Sequence, residues 1–434
     1  MESTISADRL RFLINRLRKR LWVKPLAVCL LSVGAAFVAK LADDTALAQF
    51  VPVIALDSIE TLLSVMAASM LVIATFSVAS MVSAYASASS TATPRSFGLV
   101  VADDVSQNAL STFVGAFIFS IVALTAVKNA YFEKAGLFIL FILTTIVFGM
   151  VIFTFVRWVD SIARLGRLGS TIDKVEKATV EALKRRRAAP SLYGMPEDKS
   201  RVRGQPVFAK NIGYVQHIDM AAIQVWAEEA SARVVVAALP GTFAAPDRVL
   251  AYVSSSSGNR SEIDYTCAVE SFQIGNERLF DDDPRFGLVV LSEIAGRALS
   301  PAVNDPGTAI NIIGVLLRLF ALWNDPSKGD DTKTCKYNLV EVPQISIRDM
   351  FDDAFTAISR DGAGTVEVAV RLQKALGTLT SIGHSEMRDA AIYHGQLALK
   401  RACKALDLDE DLAVVRDAAS YAVTNASPGT GPSS

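Results

Sequence analysis

The sequence contains few of the residues that bind metal ions or form disulfide bonds. Among its 434 residues are 4 cysteines and 3 histidines. The cysteines are far apart and lack CxxC spacing, which argues against a zinc ribbon or a disulfide framework: they are Cys29, Cys267, Cys335 and Cys403. The histidines do not show the spacing of a metal site or a catalytic triad: they are His217, His384 and His394. We therefore expect reduced thiols, no metal ion and no cofactor.

Excess charge and catalytic motifs are also absent. The 43 Lys and Arg residues nearly balance the 44 Asp and Glu residues, so the composition does not indicate nucleic-acid binding. We find no nucleophile elbow, phosphate-binding glycine loop or paired catalytic carboxylates. The run DDDP at 281–284 offers oxygen ligands for a divalent cation, but capping of a helix start explains it better. We therefore predict that the protein is not an enzyme and has no nucleic-acid partner.

Long apolar runs are what the sequence does contain. Hydrophobic residues make up 51% of the chain, and its mean hydropathy is +0.35. Four runs approach the roughly 20 residues that an α-helix needs to cross about 30 Å of hydrocarbon. These runs cover residues 25–42, 60–86, 108–128 and 135–157. We predict a transmembrane domain of four α-helices over residues 25–160, with the lipid bilayer as its first partner.

The charges beside the apolar runs predict the orientation. Basic residues precede the first run and acidic residues follow it, which places the N-terminus in the cytoplasm by the positive-inside rule. Four crossings return the chain to the cytoplasm, in agreement with the basic residues after the fourth run. Residues 1–24 form a basic amphipathic segment that either lies on an anionic bilayer surface or only sets the topology.

The second run is rich in serine, alanine and threonine. At helical spacing, four of its serines fall near one stripe: Ser69, Ser77, Ser80 and Ser87. Small residues in a membrane helix commonly allow close helix packing, whereas a stripe of hydroxyl groups can also line a water-filled path. Both interpretations stay open, and these serines are the candidate pathway-lining residues.

The turn after the second run carries a small cluster of charges. Arg95 precedes an apolar FGLVV segment, and Asp103 and Asp104 follow it. This spacing places Arg95 within reach of either aspartate if the segment is a short helix. Such a cluster can steer ions at a cytoplasmic mouth. The alternative is an ordinary interfacial turn.

The rest of the chain is predicted to be cytoplasmic. Residues 161–204 form a polar helical stalk and a flexible linker. Residues 205–280 combine strand and helix patterns in a small α+β module, in which Asp219 caps a helix. Residues 281–425 form an α-helical C-terminal bundle, and residues 426–434 form a disordered tail. The predicted fold class is therefore a membrane protein with four transmembrane α-helices, followed by a cytoplasmic α+β module and helical bundle.

Two helices of the bundle are predicted to start in the same way. Asp283 precedes Pro284, and Asp305 precedes Pro306. Each pair puts a capping carboxylate before a proline at the first helical position, where the missing N–H costs nothing. These helices are expected to end near residues 299 and 323.

Further elements follow from local patterns. The stretch DYTCAVESFQIG is predicted to be a strand, and residues 324–341 are predicted to be a polar loop. Three more helices are expected near residues 346–360, 364–380 and 384–406.

The segment SFQIGNERLFDDDPRFGLVVLSEIAGRALSPAVNDPGTAI resembles the signature of a bacterial membrane-protein family, domain of unknown function 2254. The resemblance rests on a Glu-Arg pair, an Asp-Pro, an Arg-Ala-Leu-Ser-Pro, and an Asn-Asp-Pro followed by Thr-Ala. Six residues of this motif are candidates for a ligand site or a structural motif: Glu277, Arg278, Ser300, Asn304, Asp305 and Thr308.

The resemblance covers almost the whole chain, including GYVQHID and TPRSF upstream and DGAGTVEVAVRLQKAL downstream. It implies four spans, a cytoplasmic C-terminal region, and the bacterial inner membrane. It implies no activity. One departure is that Arg157 and Trp158 stand where many members are expected to carry paired histidines.

Two functions from different classes fit these patterns. The leading hypothesis is a homo-oligomeric channel or transport pathway for ions or small solutes, with a cytoplasmic regulatory domain and the second span beside the axis. The alternative is a membrane-anchored ligand-sensing or scaffold protein without transport activity, which would bind a small molecule or a partner. An enzyme acting on a lipid is a weaker third option, because the sequence reveals no pocket with convergent polar groups.

Overall fold

The computed structural model describes residues 22–43, 50–101, 103–164, 167–201, 204–255, 264–325 and 335–424. The chain divides into two compact units, one ending at Thr171 and the other beginning at Ile172. We call the first the N-terminal unit and the second the C-terminal unit. Residues 1–21 of the predicted amphipathic segment (1–24) and the whole predicted tail (426–434) lie outside the described residues.

The N-terminal unit is built from helices that match the four apolar runs. Its elements are α1 (Val23–Leu41), α2 (Leu56–Thr91), a 3-10 turn (Pro94–Ser96), α3 (Phe97–Val101), α4 (Asp104–Lys128) and α5 (Lys134–Ile162). Helices α1, α2, α4 and α5 are long and apolar enough to cross a membrane. The short helix α3 occupies the predicted FGLVV segment.

Helix α4 is the centre of the N-terminal unit, because it contacts α1, α2 and α5. Phe113 and Phe119 of α4 are buried. The ring of Phe113 meets Trp158 of α5 edge-on, with the ring centroids 6.2 Å apart. Close aromatic packing of this kind stabilises helix contacts in lipid, where apolar surface has no water to avoid.

Asp43 ties the end of α1 to the start of α5. Its carboxylate accepts hydrogen bonds from the backbone N–H groups of Glu133 at 2.9 Å and Gly136 at 2.5 Å. Lys40 lies 3.3 Å from the same carboxylate. These bonds satisfy N–H groups of the first turn of α5 that have no partner within the helix.

The C-terminal unit contains two sheets. The five-stranded sheet has the order β1-β8-β4-β6-β2, and the three-stranded sheet has the order β5-β3-β7. Strands β1 and β8 and strands β4 and β8 pair in parallel, whereas the remaining pairs are antiparallel. The strands are β1 (Gly194–Pro196), β2 (Gln205–Phe208), β3 (Gly213–Ile218), β4 (Ala232–Val236), β5 (Phe243–Ala244), β6 (Val249–Ser255), β7 (Phe272–Gly275) and β8 (Tyr337–Val342).

Helices make up the rest of this unit. They are α6 (Leu168–Ala188), of which the part from Ile172 belongs here, α7 (Met220–Glu229), α8 (Thr266–Glu270), α9 (Pro284–Ala298), α10 (Pro306–Asn324), α11 (Ile347–Asp361), α12 (Val366–Ile382), α13 (Ser385–Ala405), α14 (Asp409–Ala418) and α15 (Ser420–Thr424). The predicted starts of α9 and α10, and the three predicted helices after residue 346, are confirmed. The predicted cap of α7 by Asp219 is also confirmed, since its carboxylate accepts the N–H of Ala222 at 3.0 Å.

Three local predictions are wrong. The flexible linker contains strand β1, and the polar loop over 324–341 ends in strand β8. These two strands pair with each other across about 140 residues of sequence, which local composition cannot indicate. The strand predicted over DYTCAVESFQIG is wrong for its first part, which forms helix α8, whereas its last four residues form β7 as predicted. Asp264 accepts the N–H of Thr266 at 2.9 Å before that helix.

Helix α10 resembles a membrane span in composition but packs inside the C-terminal unit. It is the fifth helix among the described residues that is long and apolar enough to cross a membrane. It contacts α9 and α12, and the ring of Phe320 lies 4.5 Å from that of Phe351 in α11. Length and hydropathy alone therefore do not separate α10 from the four predicted spans.

Candidate functional site

Three consecutive arginines in the last turn of α6 have three different environments. Arg185 donates to the carbonyl of Asp281, in the loop before α9. Arg187 donates to the carbonyls of Leu322, at 2.6 Å, and Asp325, at the end of α10. Arg186 lies between them and is buried. The end of α6 is thereby fixed between the start of α9 and the end of α10.

Arg186 is a buried cation without a hydrogen-bonded partner for two of its nitrogens. Its side chain is 4% exposed, and Nε and Nη1 donate no hydrogen bond within the described part of the chain. Burial lowers the pKa of Arg186 to about 10, and the nearby carboxylates of Asp282 and Asp283 oppose that shift. The guanidinium therefore remains charged at neutral pH.

Asp283 organises the start of α9. One carboxylate oxygen accepts the N–H groups of Arg285 at 3.1 Å and Phe286 at 3.2 Å. The other oxygen accepts Nε of Arg278 at 2.7 Å. Burial raises the pKa of Asp283 above its usual value, although the hydrogen bond from Arg278 acts in the opposite direction. Asp283 is thus both a helix cap and one half of a buried ion pair.

Two glycines allow neighbouring segments to pack closely against the start of α9. Gly241 has a φ of +92°, and a Cβ at this position would lie 2.1 Å from Oδ2 of Asp283. Gly287 of α9 lies against α6, where a Cβ would be 1.8 Å from the hydroxyl of Thr179. Larger residues at either position would push the loop after β4, or helix α6, away from the start of α9.

Arg285 is held by carboxylates of the neighbouring helix. Its Nη1 lies 2.9 Å from Asp349, and its Nε lies 2.6 Å from Asp353, both in the first two turns of α11. Burial lowers the pKa of Arg285, but the bond to Asp353 and the charge of Asp349 outweigh it and raise the pKa. Unlike Arg186, this guanidinium is matched by charges of opposite sign.

These residues surround a cavity of about 340 Å³. It lies beyond the carboxyl ends of the parallel strands β4 and β8, because its walls include the segments that directly follow each strand. The lining residues with polar side chains are Arg186, Thr242, Arg278, Asp283, Arg285, Gln344, Ser346 and Asp349. We call this space the arginine cavity. Ligands of open α/β sheets bind at this edge.

A histidine supports the acidic loop beside the arginine cavity. Nδ1 of His217, in β3, lies 2.7 Å from Oδ2 of Asp282. The neighbouring Gln216 donates to the backbone carbonyl of Glu277 at 2.7 Å. The sequence motif therefore contributes Arg278 and Asp283 to the cavity, whereas the Glu277 side chain is exposed.

The second half of the motif forms a turn between α9 and α10. Asp305 accepts the N–H of Thr308 at 3.0 Å and its hydroxyl at 2.6 Å. Ser300 donates to the carbonyl of Arg297 at 2.7 Å, and Asn304 adopts a left-handed φ of +49°. These contacts stay within the turn. Among the described residues, none of the four side chains makes a hydrogen bond to Arg278 or Arg186.

The four serines of the predicted stripe on α2 have different surroundings. Ser69 donates to the carbonyl of Val65 at 2.7 Å. Ser77 is completely buried, and its hydroxyl makes no hydrogen bond within the described residues. Ser80 and Ser87 line an open groove of about 440 Å³ that also contacts Ile162.

The predicted mouth residues serve different local roles. Asp103 caps α4 by accepting the N–H of Ser106 at 3.0 Å. Asp104 lies 2.5 Å from the ammonium group of Lys24, at the start of α1. Arg95 lies in the 3-10 turn, where its N–H donates to the hydroxyl of Thr93 at 3.1 Å. The expected contact between Arg95 and an aspartate stays a prediction.

Sequence reasoning missed Arg186, although its spacing carried a signal. The buried residues of α6 from Ile172 onward follow the spacing of one helical face and include Arg186 as their last member: Ile172, Val175, Thr179, Ala182, Leu183 and Arg186. An arginine on the apolar stripe of an amphipathic helix is expected to be buried. The adjacent basic residues made the whole run look like a solvated helix end.

Comparison with protein families identifies the chain. The profile of the family described as "Predicted membrane protein (DUF2254)" matches residues 18–378. The chain belongs to this family. The DUF2254 match includes the N-terminal unit from α1 onward and every residue that lines the arginine cavity. The protein is thus a predicted membrane protein with several long apolar helices and a mixed α+β and helical C-terminal region.

Curated relatives match over a shorter region. Uncharacterized protein MT1328 and Uncharacterized protein Rv1290c, from two strains of Mycobacterium tuberculosis, are each 29% identical over 132 residues. Uncharacterized protein Mb1321c of Mycobacterium bovis matches to the same extent. The matched region is 30% of this DUF2254 chain and about a quarter, 25%, of each relative. No solved structure matches the chain.

Proposed function

We propose that the protein is a membrane-anchored ligand sensor of the bacterial inner membrane. Helices α1, α2, α4 and α5 cross the bilayer with both termini in the cytoplasm, and the C-terminal unit binds a small molecule in the arginine cavity. The protein binds this molecule rather than converting it. The observation that carries the proposal is the position of the cavity beyond the carboxyl ends of β4 and β8.

The walls of the cavity support a binding role. They come from the end of α6, the loop after β4, the start of α9 and the start of α11, which lie far apart in sequence. Pockets that collect polar groups from several distant elements are typical ligand sites. The ion pairs of Arg278 with Asp283 and of Arg285 with Asp353 hold two of these groups in place before a ligand arrives.

Helix α6 supports a sensing role. It starts six residues after α5 ends, and its last turn carries Arg186 into the cavity. The adjacent Arg187 contacts the end of α10. A ligand that contacts Arg186 would therefore act on the helix that continues the chain from the last proposed span. We place α10 outside the bilayer, because Leu316 and Phe320 are buried within the C-terminal unit.

Ligand screening with a blocked cavity tests this function. Full-length protein in nanodiscs is melted with a panel of charged and neutral metabolites. Thr242 is exposed at the cavity wall, so Thr242→Trp should fill the space without disturbing the core. Asp247→Trp, at an exposed position outside the cavity, is the matched control. Compounds that raise the Tm of the wild type and of Asp247→Trp should fail to do so for Thr242→Trp.

A pathway for ions or small solutes is a second candidate. It is favoured by Ser77 and Trp158, whose buried hydroxyl and indole N–H groups have no hydrogen-bond partner among the described residues. Most buried polar groups bind another protein group or water. Water entering beside α2 would satisfy them, and several copies of the chain would then surround the path with the groove at Ser80 and Ser87.

A further inference from the structure

We propose that the ligand of the arginine cavity carries a single oxyanion group, a carboxylate or a phosphoryl group, and that Arg186 binds it. This inference rests on the proposed function, because it assigns a chemical class to the ligand of that site. Arg186 would be the binding residue, and Arg278 and Arg285 would form the charged wall around it.

The hydrogen bonds around the cavity point to Arg186 as the unmatched group. Arg278 is bonded to Asp283, and Arg285 is bonded to Asp349 and Asp353. Arg186 has no carboxylate within ion-pair distance among the described residues, and Nε and Nη1 donate no hydrogen bond. A guanidinium can donate five hydrogen bonds, so an oxyanion is the natural acceptor for those that the protein does not use.

The balance of charge along the wall limits the ligand to about one negative charge. Three guanidinium groups line the cavity: Arg186, Arg278 and Arg285. The lining carboxylates are two, Asp283 and Asp349. Asp282 lies outside the lining and is held by His217. Because Arg278 is paired with Asp283 and Arg285 with Asp349 and Asp353, Arg186 is the lining cation without an ion-pair partner among the described residues. A polyphosphate would instead bring several negative charges close to Asp283 and Asp349.

Because Arg186 is buried, the effect of its substitution on stability distinguishes a binding role from a structural role. A buried charge without an ion-pair partner is costly for the folded state, so we expect its replacement by an apolar side chain of similar volume to be neutral or stabilising. A purely structural arginine would show the opposite behaviour, because its loss would remove contacts that hold the fold. Since the cavity of about 340 Å³ is larger than inorganic phosphate, the anionic group belongs to a small organic molecule.

Anion-dependent melting of the full-length protein tests this proposal. The protein is placed in nanodiscs of zwitterionic lipid, and inorganic phosphate or acetate is compared with chloride at equal ionic strength. We expect phosphate or acetate to raise the Tm of the wild type and of Arg185→Gln, the control in the same helical turn. In chloride, the Tm of Arg186→Met should equal or exceed that of the wild type. Its affinity for the anion should be lower by about tenfold or more.

Further outcomes of this experiment would either contradict the role of Arg186 or support it. If Arg186→Met does not fold, the inference is overturned, because Arg186 is then structural. Thr242→Trp, which leaves Arg186 in place, should also lose the anion effect. Equal anion stabilisation of wild type and Arg186→Met would contradict the proposal. If anions have no effect but a neutral metabolite binds in a manner sensitive to Thr242→Trp, the ligand class is wrong while the sensor function stands.

The source of the oxyanion is tested by the lipid. Nanodiscs containing phosphatidylglycerol are compared with the zwitterionic ones. If a lipid headgroup supplies the oxyanion, anionic lipid should raise the Tm of the wild type but not of Arg186→Met, and added phosphate should then have no further effect. If a soluble molecule supplies it, the phosphate effect should be the same in both lipids.

Discussion

The carboxylate of Asp283 receives the side chain of Arg278 at 2.7 Å on one oxygen and the first N–H groups of α9 on the other. The same residue therefore fixes the helix and orients a wall of the arginine cavity. Only 3% of the surface of Asp283 is exposed, so water competes little with either interaction. Loss of the carboxylate should consequently affect stability more than loss of an ordinary helix cap.

Substitution of Asp283 tests this double role. Asp283→Ala should lower the free energy of unfolding by about 3 kcal/mol, because it removes a cap and leaves the Arg278 guanidinium without its partner. Asp283→Asn retains a capping oxygen and should be less harmful. The matched control is Asp305→Ala, which removes a cap without a buried ion pair and should cost about 1 kcal/mol. Chemical denaturation in detergent gives all three values, and equal losses for Asp283→Ala and Asp305→Ala would argue against the double role.

The cap at Asp305 should depend on pH. The hydroxyl and N–H of Thr308 hold the pKa of Asp305 below its usual value. Because the folded-state pKa is depressed, this cap stabilises the protein fully above the unfolded carboxyl pKa of about 4, and its contribution disappears as the pH falls through the folded value. The Tm difference between wild type and Asp305→Ala should therefore shrink below about pH 4. A constant difference down to pH 2 would show that the charge of Asp305 is not involved.

The parts of the fold that sequence predicted are those determined by neighbours in the chain. Asp219, Asp283 and Asp305 each bond to N–H groups two or three residues ahead, so short patterns suffice to place them. The apolar runs likewise predict long helices by composition alone. Strands β1 and β8 differ, since their pairing depends on residues far apart in sequence. The three residues of β1 have little strand character, whereas YNLVEV of β8 has the composition of a strand but follows a polar stretch.

The candidate site was harder to predict for the same reason. Arg185, Arg186 and Arg187 have the same side chain and nearly the same neighbours, yet only Arg186 is almost fully buried. Their different roles follow from the direction in which each side chain leaves α6, and from the loops that the tertiary fold brings to that face. The family motif did indicate Arg278 and Asp305, but only the first lines the cavity.

Asp43 should be important for the N-terminal unit. Burial raises the pKa of Asp43, but the hydrogen bonds from Glu133, Gly136 and Lys40 outweigh that effect and lower it. Asp43→Ala removes this charged cap of α5 and should lower the free energy of unfolding by about 1–2 kcal/mol. Asp104→Ala is the control, because the Asp104 side chain is 81% exposed and its ion pair with Lys24 should contribute less than about 1 kcal/mol. Similar melting of the two variants would show that the bond across the ends of α1 and α5 is dispensable.

Flux measurements test the second candidate function. If the groove beside α2 lines a path, proteoliposomes should pass ions or small solutes, and Ser80→Leu should reduce the flux by narrowing the groove. Val82→Leu is the matched control, because Val82 lies on the same helix with an exposed side chain outside the groove. Ser77→Ala should reduce flux as well, since it removes a buried hydroxyl that passing water would contact. No flux above that of empty liposomes, or equal flux for Ser80→Leu and Val82→Leu, would exclude a path along this groove and leave the ligand sensor as the function to pursue.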